Sequence, residues 1–98
     1  MGKASLMHYS YDRIGHKFLM VQKMYYVEDL RYTENIKYSL LLLNLHSKEK
    51  VLMDNHAPKG HHYHINDFEF EYEFISISQL IKDFKLLIKS HFGDINEK

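Results

Sequence analysis

The seven residues 68–74, FEFEYEF, constrain the fold most strongly, because aromatic and acidic side chains alternate there without exception. In a β-strand successive side chains point to opposite faces, so the aromatic rings would share one face and the carboxylates the other. The sequence therefore predicts a half-buried strand over 68–74. We expect Glu69, Glu71 and Glu73 to face solvent, where they would also discourage edge-to-edge pairing of the sheet.

A helix is predicted directly after this strand. Apolar residues recur at three- and four-residue steps over 77–92, which is the period of an amphipathic helix. Ser76 and Gln79 have the spacing of a capping box, and Gly93 is a suitable stop signal. Asp83 falls on the polar side, where we expect a surface carboxylate. The same side carries three lysines, Lys82, Lys85 and Lys89.

The remaining segments indicate further strands. Residues 5–12 alternate roughly, and Gly15 supplies turn chemistry before the β-prone run KFLMVQKMYYV, which predicts a hairpin. The run IKYSLLLLNL is apolar on both faces, as a central strand covered on two sides would be, and KVLMD predicts a shorter strand. Together these elements predict an α+β fold, a curved antiparallel β-meander of four to five strands with one C-terminal α-helix packed on one face.

Composition narrows the class of protein. A chain of 98 residues with 45% hydrophobic content predicts a single domain over 1–98. Thirteen basic and thirteen acidic residues cancel, so no global field draws the chain to nucleic acid or to a membrane. The absence of cysteine excludes a disulfide frame and a thiol nucleophile. Because the longest apolar run is far below the ~20 residues of a membrane helix, and no signal-peptide pattern is found, we predict a cytoplasmic protein without membrane association.

Titratable groups are concentrated in residues 54–68, DNHAPKGHHYHINDF, where four histidines, a lysine and two aspartates surround the only proline. Alternate residues of a strand share a face. His62 and His64 are therefore predicted to point the same way, with His61 and Tyr63 on the other side.

Two imidazoles and a lysine suit metal-independent cleavage of RNA. One neutral histidine takes the 2′-hydroxyl proton, a protonated partner delivers a proton to the leaving 5′-oxygen, and an ammonium stabilises the crowded phosphate. The candidate catalytic residues of such an endoribonuclease are His62, His64, Lys59 and Asp54. The candidate substrate-binding residues are Asn55, Gly60, His61 and Tyr63. No cofactor is predicted.

Three other interpretations fit these patterns. The two histidines of H-x-H could bind a metal, with His56, Asp54 or Asp67 as a third ligand. A histidine-rich turn open to solvent needs no function, and composition alone favours it. The chain could also be a non-catalytic interaction domain whose glutamate row binds a basic partner, such as an antitoxin or a DNA-bound regulator. The eight tyrosines could stack on bases, but core or rim packing is the expected role for most of them.

The order of YSLLLL, VLMDNHAPKGHHYH and EYEFISISQLIKDF along the chain resembles the TumE family, small toxin components of bacterial toxin–antitoxin pairs. In that family an Asp-Asn, a Lys-Gly and an H-x-H precede an aromatic strand and a Ser-capped helix ending in Asp-Phe. The resemblance covers nearly the whole chain, most clearly residues 36–88. The matching positions are Asp54, Asn55, Lys59, Gly60, His62, His64, Phe74, Ser76, Leu80, Asp83 and Phe84.

The resemblance implies a protein that acts inside a bacterial cell and is held in check by a cognate antitoxin encoded beside it. Toxins of this kind often attack RNA or translation. The chain departs from the family pattern at His61, where aspartate is common, and at Tyr63, where arginine is common, and both differences remove charge beside the presumed site. An exposed sheet edge would also allow a homodimer, since most soluble oligomers are symmetric dimers.

Overall fold

Residues 4–95 are described by the computed structural model and form six β-strands and one α-helix. The strands are β1 (Ala4–Ile14), β2 (Phe18–Val27), β3 (Ile36–Asn44), β4 (Lys50–Asp54), β5 (His62–Ile65) and β6 (Phe68–Glu71), and the helix is α1 (Ile77–Phe92). The strands form one sheet in the order of the chain, and every neighbouring pair is antiparallel. The predicted α+β meander with a C-terminal helix is confirmed, with six strands in place of four to five.

The strand predicted over 68–74 is shorter than its alternation suggested. β6 ends at Glu71, and the chain then leaves the sheet towards the helix. Its partner β5 has only four residues, and beyond it the pairing continues only through the hydrogen bond from the Tyr72 N–H to the His61 carbonyl. As β6 is the outermost strand, Phe68 and Phe70 are 71% and 43% exposed rather than buried. The glutamates of 68–74 are all exposed, as expected.

The helix begins and ends at the residues that the sequence indicated. Ser76 Oγ accepts a hydrogen bond from the Gln79 backbone N–H at 3.0 Å, and Gly93, with φ 78°, donates its N–H to the Lys89 carbonyl. Half of the predicted capping box is wrong, because the Gln79 side chain donates to Asp83 Oδ1 at 2.8 Å instead of reaching back to the cap. Asp83 also accepts from the Tyr72 hydroxyl, so it is a bonded, partly buried carboxylate and not a free surface group.

One face of the sheet, here called the covered face, packs against the helix. The helix contributes Leu80, Phe84 and Ile88 to the core. The sheet contributes Met24, Tyr38, Leu40, Leu42, Val51 and Met53. Burying each large apolar side chain contributes about 1.5–3 kcal/mol, so this layer is the main source of stability.

The opposite face of the sheet is here called the open face. The sequence predicted that β3 would be covered on both sides, but it is covered on one. Leu40 and Leu42 are fully buried on the covered face, whereas Leu41 and Leu43 are only partly buried. No described helix or strand packs across the open face. At one end of β2, the connections after β2 and β4 form a second small core of Val27, Tyr32 and Ala57. Within residues 4–95, no helix has the length and apolar character needed to cross a membrane.

Candidate functional site

Antiparallel pairing aligns residues of the open face into rows that run across the sheet, one residue from each strand. The first row contains Tyr9, Lys23, Ser39, Asp54, His62 and Glu71. The second row contains Tyr11, Val21, Leu41, Leu52, His64 and Glu69. His62 and His64, the histidine pair, stand side by side in these rows with ring centroids 4.9 Å apart. Their predicted common face is confirmed.

His62 is the buried member of the pair and is held at both ring nitrogens. Nδ1 lies 2.8 Å from the Gly60 carbonyl, and because a carbonyl can only accept, Nδ1 carries a hydrogen. Nε2 lies 2.8 Å from Asp54 Oδ1. Both nitrogens thus face oxygen acceptors of the protein.

Asp54 Oδ1 has spare hydrogen-bonding capacity. This atom is buried, yet among the described residues it has no hydrogen bond of good geometry. The contact to His62 is therefore a close ion pair whose direction is poor for a hydrogen bond. A buried oxygen without a directed partner is costly, at about 1–3 kcal/mol, and because this atom is closed to solvent the cost is borne by the folded chain.

His64 is the accessible member of the pair. It is partly buried on the open face and has no hydrogen-bond partner within residues 4–95. Its cross-strand neighbours are Leu52 and Glu69. Neither ring nitrogen is bonded to a described protein group, so this imidazole can contact a bound molecule.

Lys59 reaches the second row from the connection between β4 and β5. Its Nζ lies 2.8 Å from Glu69 Oε1, and the two side chains are 60% and 40% exposed. The hydrogen bond from Lys59 is the largest cause of the lowered pKa of Glu69, and the nearby charges of Lys59, His62 and His64 act in the same direction. An ammonium group in so exposed an ion pair can exchange its carboxylate partner for a phosphate.

His61 faces the opposite way, as predicted, and belongs to the covered face. Its Nε2 donates to Glu34 Oε1 at 3.0 Å, and in the neutral ring Nδ1 accepts from the Tyr38 hydroxyl at 2.9 Å. Its ring stacks on Phe74 with centroids 4.8 Å apart. Burial raises the pKa of Tyr38 well above its usual value, so the phenol keeps its proton as a donor.

Tyr63 also points away from the histidine pair. It stacks on Phe70 with ring centroids 5.0 Å apart and packs against the core. The structure therefore separates Tyr63 and His61 from the surface that carries His62 and His64. The two positions where the chain departs from the TumE pattern lie on the other side of β5.

Asn55 and Gly60 hold the connection that carries Lys59. The Asn55 amide is 2% exposed, accepts from the Tyr38 backbone N–H at 2.9 Å and donates to the Ile36 carbonyl at 2.7 Å. Gly60 adopts φ 80°, a left-handed conformation that glycine takes without strain, and presents its carbonyl to His62. Both residues position the site and are occupied by protein groups.

Of the three candidate third ligands for a metal at the histidine pair, only Asp54 lies beside it, with Oδ1 2.8 Å from His62 Nε2. Among residues 4–95, no group of three or more His, Cys, Asp or Glu side chains could hold a metal ion. His56 and Asp67, the other candidate ligands, are exposed in the connections on either side of β5.

Sequence reasoning did not anticipate Lys23 and Ser39, which share the first row with Asp54 and His62. Only the sheet register reveals this neighbourhood, because each of the four residues lies on a different strand. No protein-family model, curated protein or solved structure matches the chain. The geometry of the open face is thus the basis for assigning a function.

Proposed function

We propose that the chain is the toxin component of a bacterial toxin–antitoxin pair and that it cleaves RNA without a metal, using the histidine pair and Lys59. The observation that carries this proposal is an accessible imidazole, His64, set beside a buried one, His62, that faces two oxygen acceptors. General acid–base catalysis needs one group able to take a proton and another able to give one, and the two rings meet that requirement on one surface.

In the proposed reaction, His64 takes the proton of the ribose 2′-hydroxyl. The 2′-oxygen attacks the adjacent phosphorus and the bond from phosphorus to the 5′-oxygen breaks. His62 turns its Nε2–H away from Asp54, where the contact is not a directed hydrogen bond, and gives a proton to that leaving oxygen. The products are a 2′,3′-cyclic phosphate and a 5′-hydroxyl. Lys59 leaves Glu69 and stabilises the negative charge that builds on the phosphoryl oxygens.

The remaining candidate residues position these groups. Asp54 holds the His62 ring at Nε2, and the Gly60 carbonyl holds it at Nδ1. Asn55 fixes the start of the connection that carries Lys59 by bonding to the backbone of β3. Because His61 and Tyr63 lie on the covered face, we assign them packing roles in this chain.

Growth inhibition tests this proposal in cells. Induced expression in a bacterium should arrest growth, and His64→Ala should abolish the arrest while the protein accumulates in folded form. His56→Ala is the matched control, since His56 is exposed in the connection between β4 and β5 and has no role in the proposed reaction. Arrest that survives His64→Ala at equal protein level would refute the assignment of His64.

A second candidate function, a non-catalytic interaction domain, is favoured by the acidic edge. Glu69 and Glu71 are exposed, and they end the two rows on the outermost strand. Such an edge suits a basic partner, such as the antitoxin.

Charge reversal tests this second candidate. Glu69→Lys with Glu71→Lys should abolish capture of a co-expressed antitoxin if the edge is the docking surface, because like charges would then face each other. Glu28→Lys, an exposed control on another connection, should leave capture intact. Capture that resists the double reversal would remove this candidate.

A further inference from the structure

The open face of β1 to β3 combines exposed aromatic rings with cations. Tyr9 and Tyr11 are 51% and 59% exposed. Register places them beside Lys23 and Val21, and Arg13 and Lys37 lie at other positions of the same face. Within the described strands β1 to β3, no carboxylate occupies an open-face position. This part of the surface is therefore positive, although the chain as a whole has no net charge.

A depression lies within this surface. Its volume is about 410 Å³, and Lys23, Tyr25, Lys37 and Ser39 are among the residues that line it. Two ammonium groups and a hydroxyl thus border a concave region with an aromatic ring at its wall. Cations and hydroxyl groups are the usual protein contacts of phosphate oxygens.

The depression shares a row of the sheet with His62. Lys23 and Ser39 belong to the first row, which continues through Asp54 to His62. Neighbouring strands lie about 4.8 Å apart, so β2 and β5 are separated by about 14 Å. A chain of phosphates lying across the strands would run from the cations to His62 and His64, passing the partly buried carboxylate of Asp54 on the way.

Exposed rings beside cations on a sheet surface match unpaired nucleic acid better than a duplex. Bases of a single strand can stack on aromatic side chains while the backbone follows a positive groove. In a duplex the bases are already stacked on one another and are not available to Tyr9 or Tyr11.

We infer that the open face of β1 to β3 is a binding track for single-stranded RNA, with phosphates held by Arg13, Lys23 and Lys37 and bases stacked on Tyr9 and Tyr11. The track leads the strand across the sheet to the histidine pair. This inference rests on the proposed function for its choice of RNA as the ligand, and it assigns base stacking to two of the eight tyrosines, for most of which the sequence predicted packing.

Binding of a strand that cannot be cleaved tests the inference separately from catalysis. The probe is a fluorescein-labelled 2′-O-methyl RNA of about 12 nucleotides, within the size range of single-strand sites. It lacks the 2′-hydroxyl nucleophile, so anisotropy reports binding alone. The test protein carries Arg13→Gln, Lys23→Gln and Lys37→Gln, and the matched control carries Lys82→Gln, Lys85→Gln and Lys89→Gln on the helix.

The expected result is a change in salt dependence. Each phosphate contact on a single strand contributes a slope of about −0.7 to the plot of log affinity against log salt concentration, so the open-face triple variant should lose about 2 from the slope. The helix triple variant should bind as the unmodified chain does. Equal losses in the two variants, or no loss in either, would overturn the inference.

The tyrosines give a second readout. Tyr9→Leu with Tyr11→Leu should weaken binding by about fivefold or more, because stacking on each base is lost while apolar area is kept. Tyr26→Leu is the control, since Tyr26 is 43% exposed and lies on the other face of the same hairpin. Unchanged binding in the double variant would count against stacking.

Two further outcomes separate this inference from the proposed catalysis and from dimerisation through the open face. If the probe binds as expected but ordinary RNA is never cleaved, the track stands and the proposed catalysis fails. If sedimentation shows a dimer that the open-face substitutions dissociate, and the probe does not bind, the face contacts a second copy of the chain and the inference is overturned.

Discussion

At the scale of single residues, Glu34 couples the stability of the fold to pH. Partial burial acts to raise the pKa of Glu34, but the hydrogen bond and the charge of His61 outweigh it, so the pKa lies below its usual value of 4.5. A carboxyl whose pKa is lowered by folding stabilises the folded state above its unfolded pKa, and this contribution is lost as pH falls through the folded value.

Glu34→Gln should therefore lower the melting temperature at neutral pH. The difference from the unmodified chain should begin to shrink as pH falls below about 4.5, where the unfolded chain takes up the proton, and should vanish once pH falls below the lowered pKa of Glu34 in the folded chain. Thermal unfolding followed by circular dichroism across this range measures it, with Glu28→Gln as an exposed control. A difference that stays constant with pH would contradict the role of the His61 contact.

Alternation of side chains along the strand predicted part of the site geometry. It correctly placed His62 and His64 on one face and His61 on the other. It did not reveal that His61 bonds to Tyr38 and Glu34, which are 23 and 27 residues away in the chain. Such partners are set by the register of the sheet and by a connection between strands, which local spacing does not encode.

At the scale of elements, the start of the helix depends on one cap. Ser76→Ala should reduce the free energy of unfolding by about 1 kcal/mol, because the Gln79 N–H loses its acceptor. Ser78→Ala, an exposed serine in the first turn, should change it by less than about 0.5 kcal/mol. Urea unfolding of both variants provides the comparison, and equal effects would show that the cap contributes nothing.

The observed end of β6 could not be predicted from side-chain alternation. Alternation continues to Phe74, but a strand needs a partner for its backbone, and β5 is bounded by Gly60 on one side and the turn at Asn66 on the other. Tyr72 and Phe74 instead leave the sheet to contact Asp83 and His61. Side-chain pattern predicts which face a residue takes, whereas hydrogen-bonding partners decide where the strand ends.

At the scale of the whole molecule, helix periodicity and strand alternation were sufficient to predict the α+β class. The uncovered face was not foreseen, because the four leucines 40–43 are equally apolar whether one layer or two cover them. That face brings the first and second rows together, with cations and tyrosines at one side and the histidine pair and carboxylates at the other. The proposed site is thus a property of the folded sheet, although its histidines were visible in the sequence.

Cleavage of RNA by the purified chain is the decisive test of the proposed catalysis. Labelled bacterial RNA would be incubated from about pH 6 to about pH 8, with and without a chelator, using the unmodified chain, His64→Ala and His56→Ala. The proposed mechanism predicts cleavage that persists in chelator and yields 2′,3′-cyclic phosphate ends. The cleavage rate should be retained in His56→Ala and should fall by about 100-fold or more in His64→Ala. Cleavage that is unchanged in His64→Ala, or absent in every condition, would contradict it.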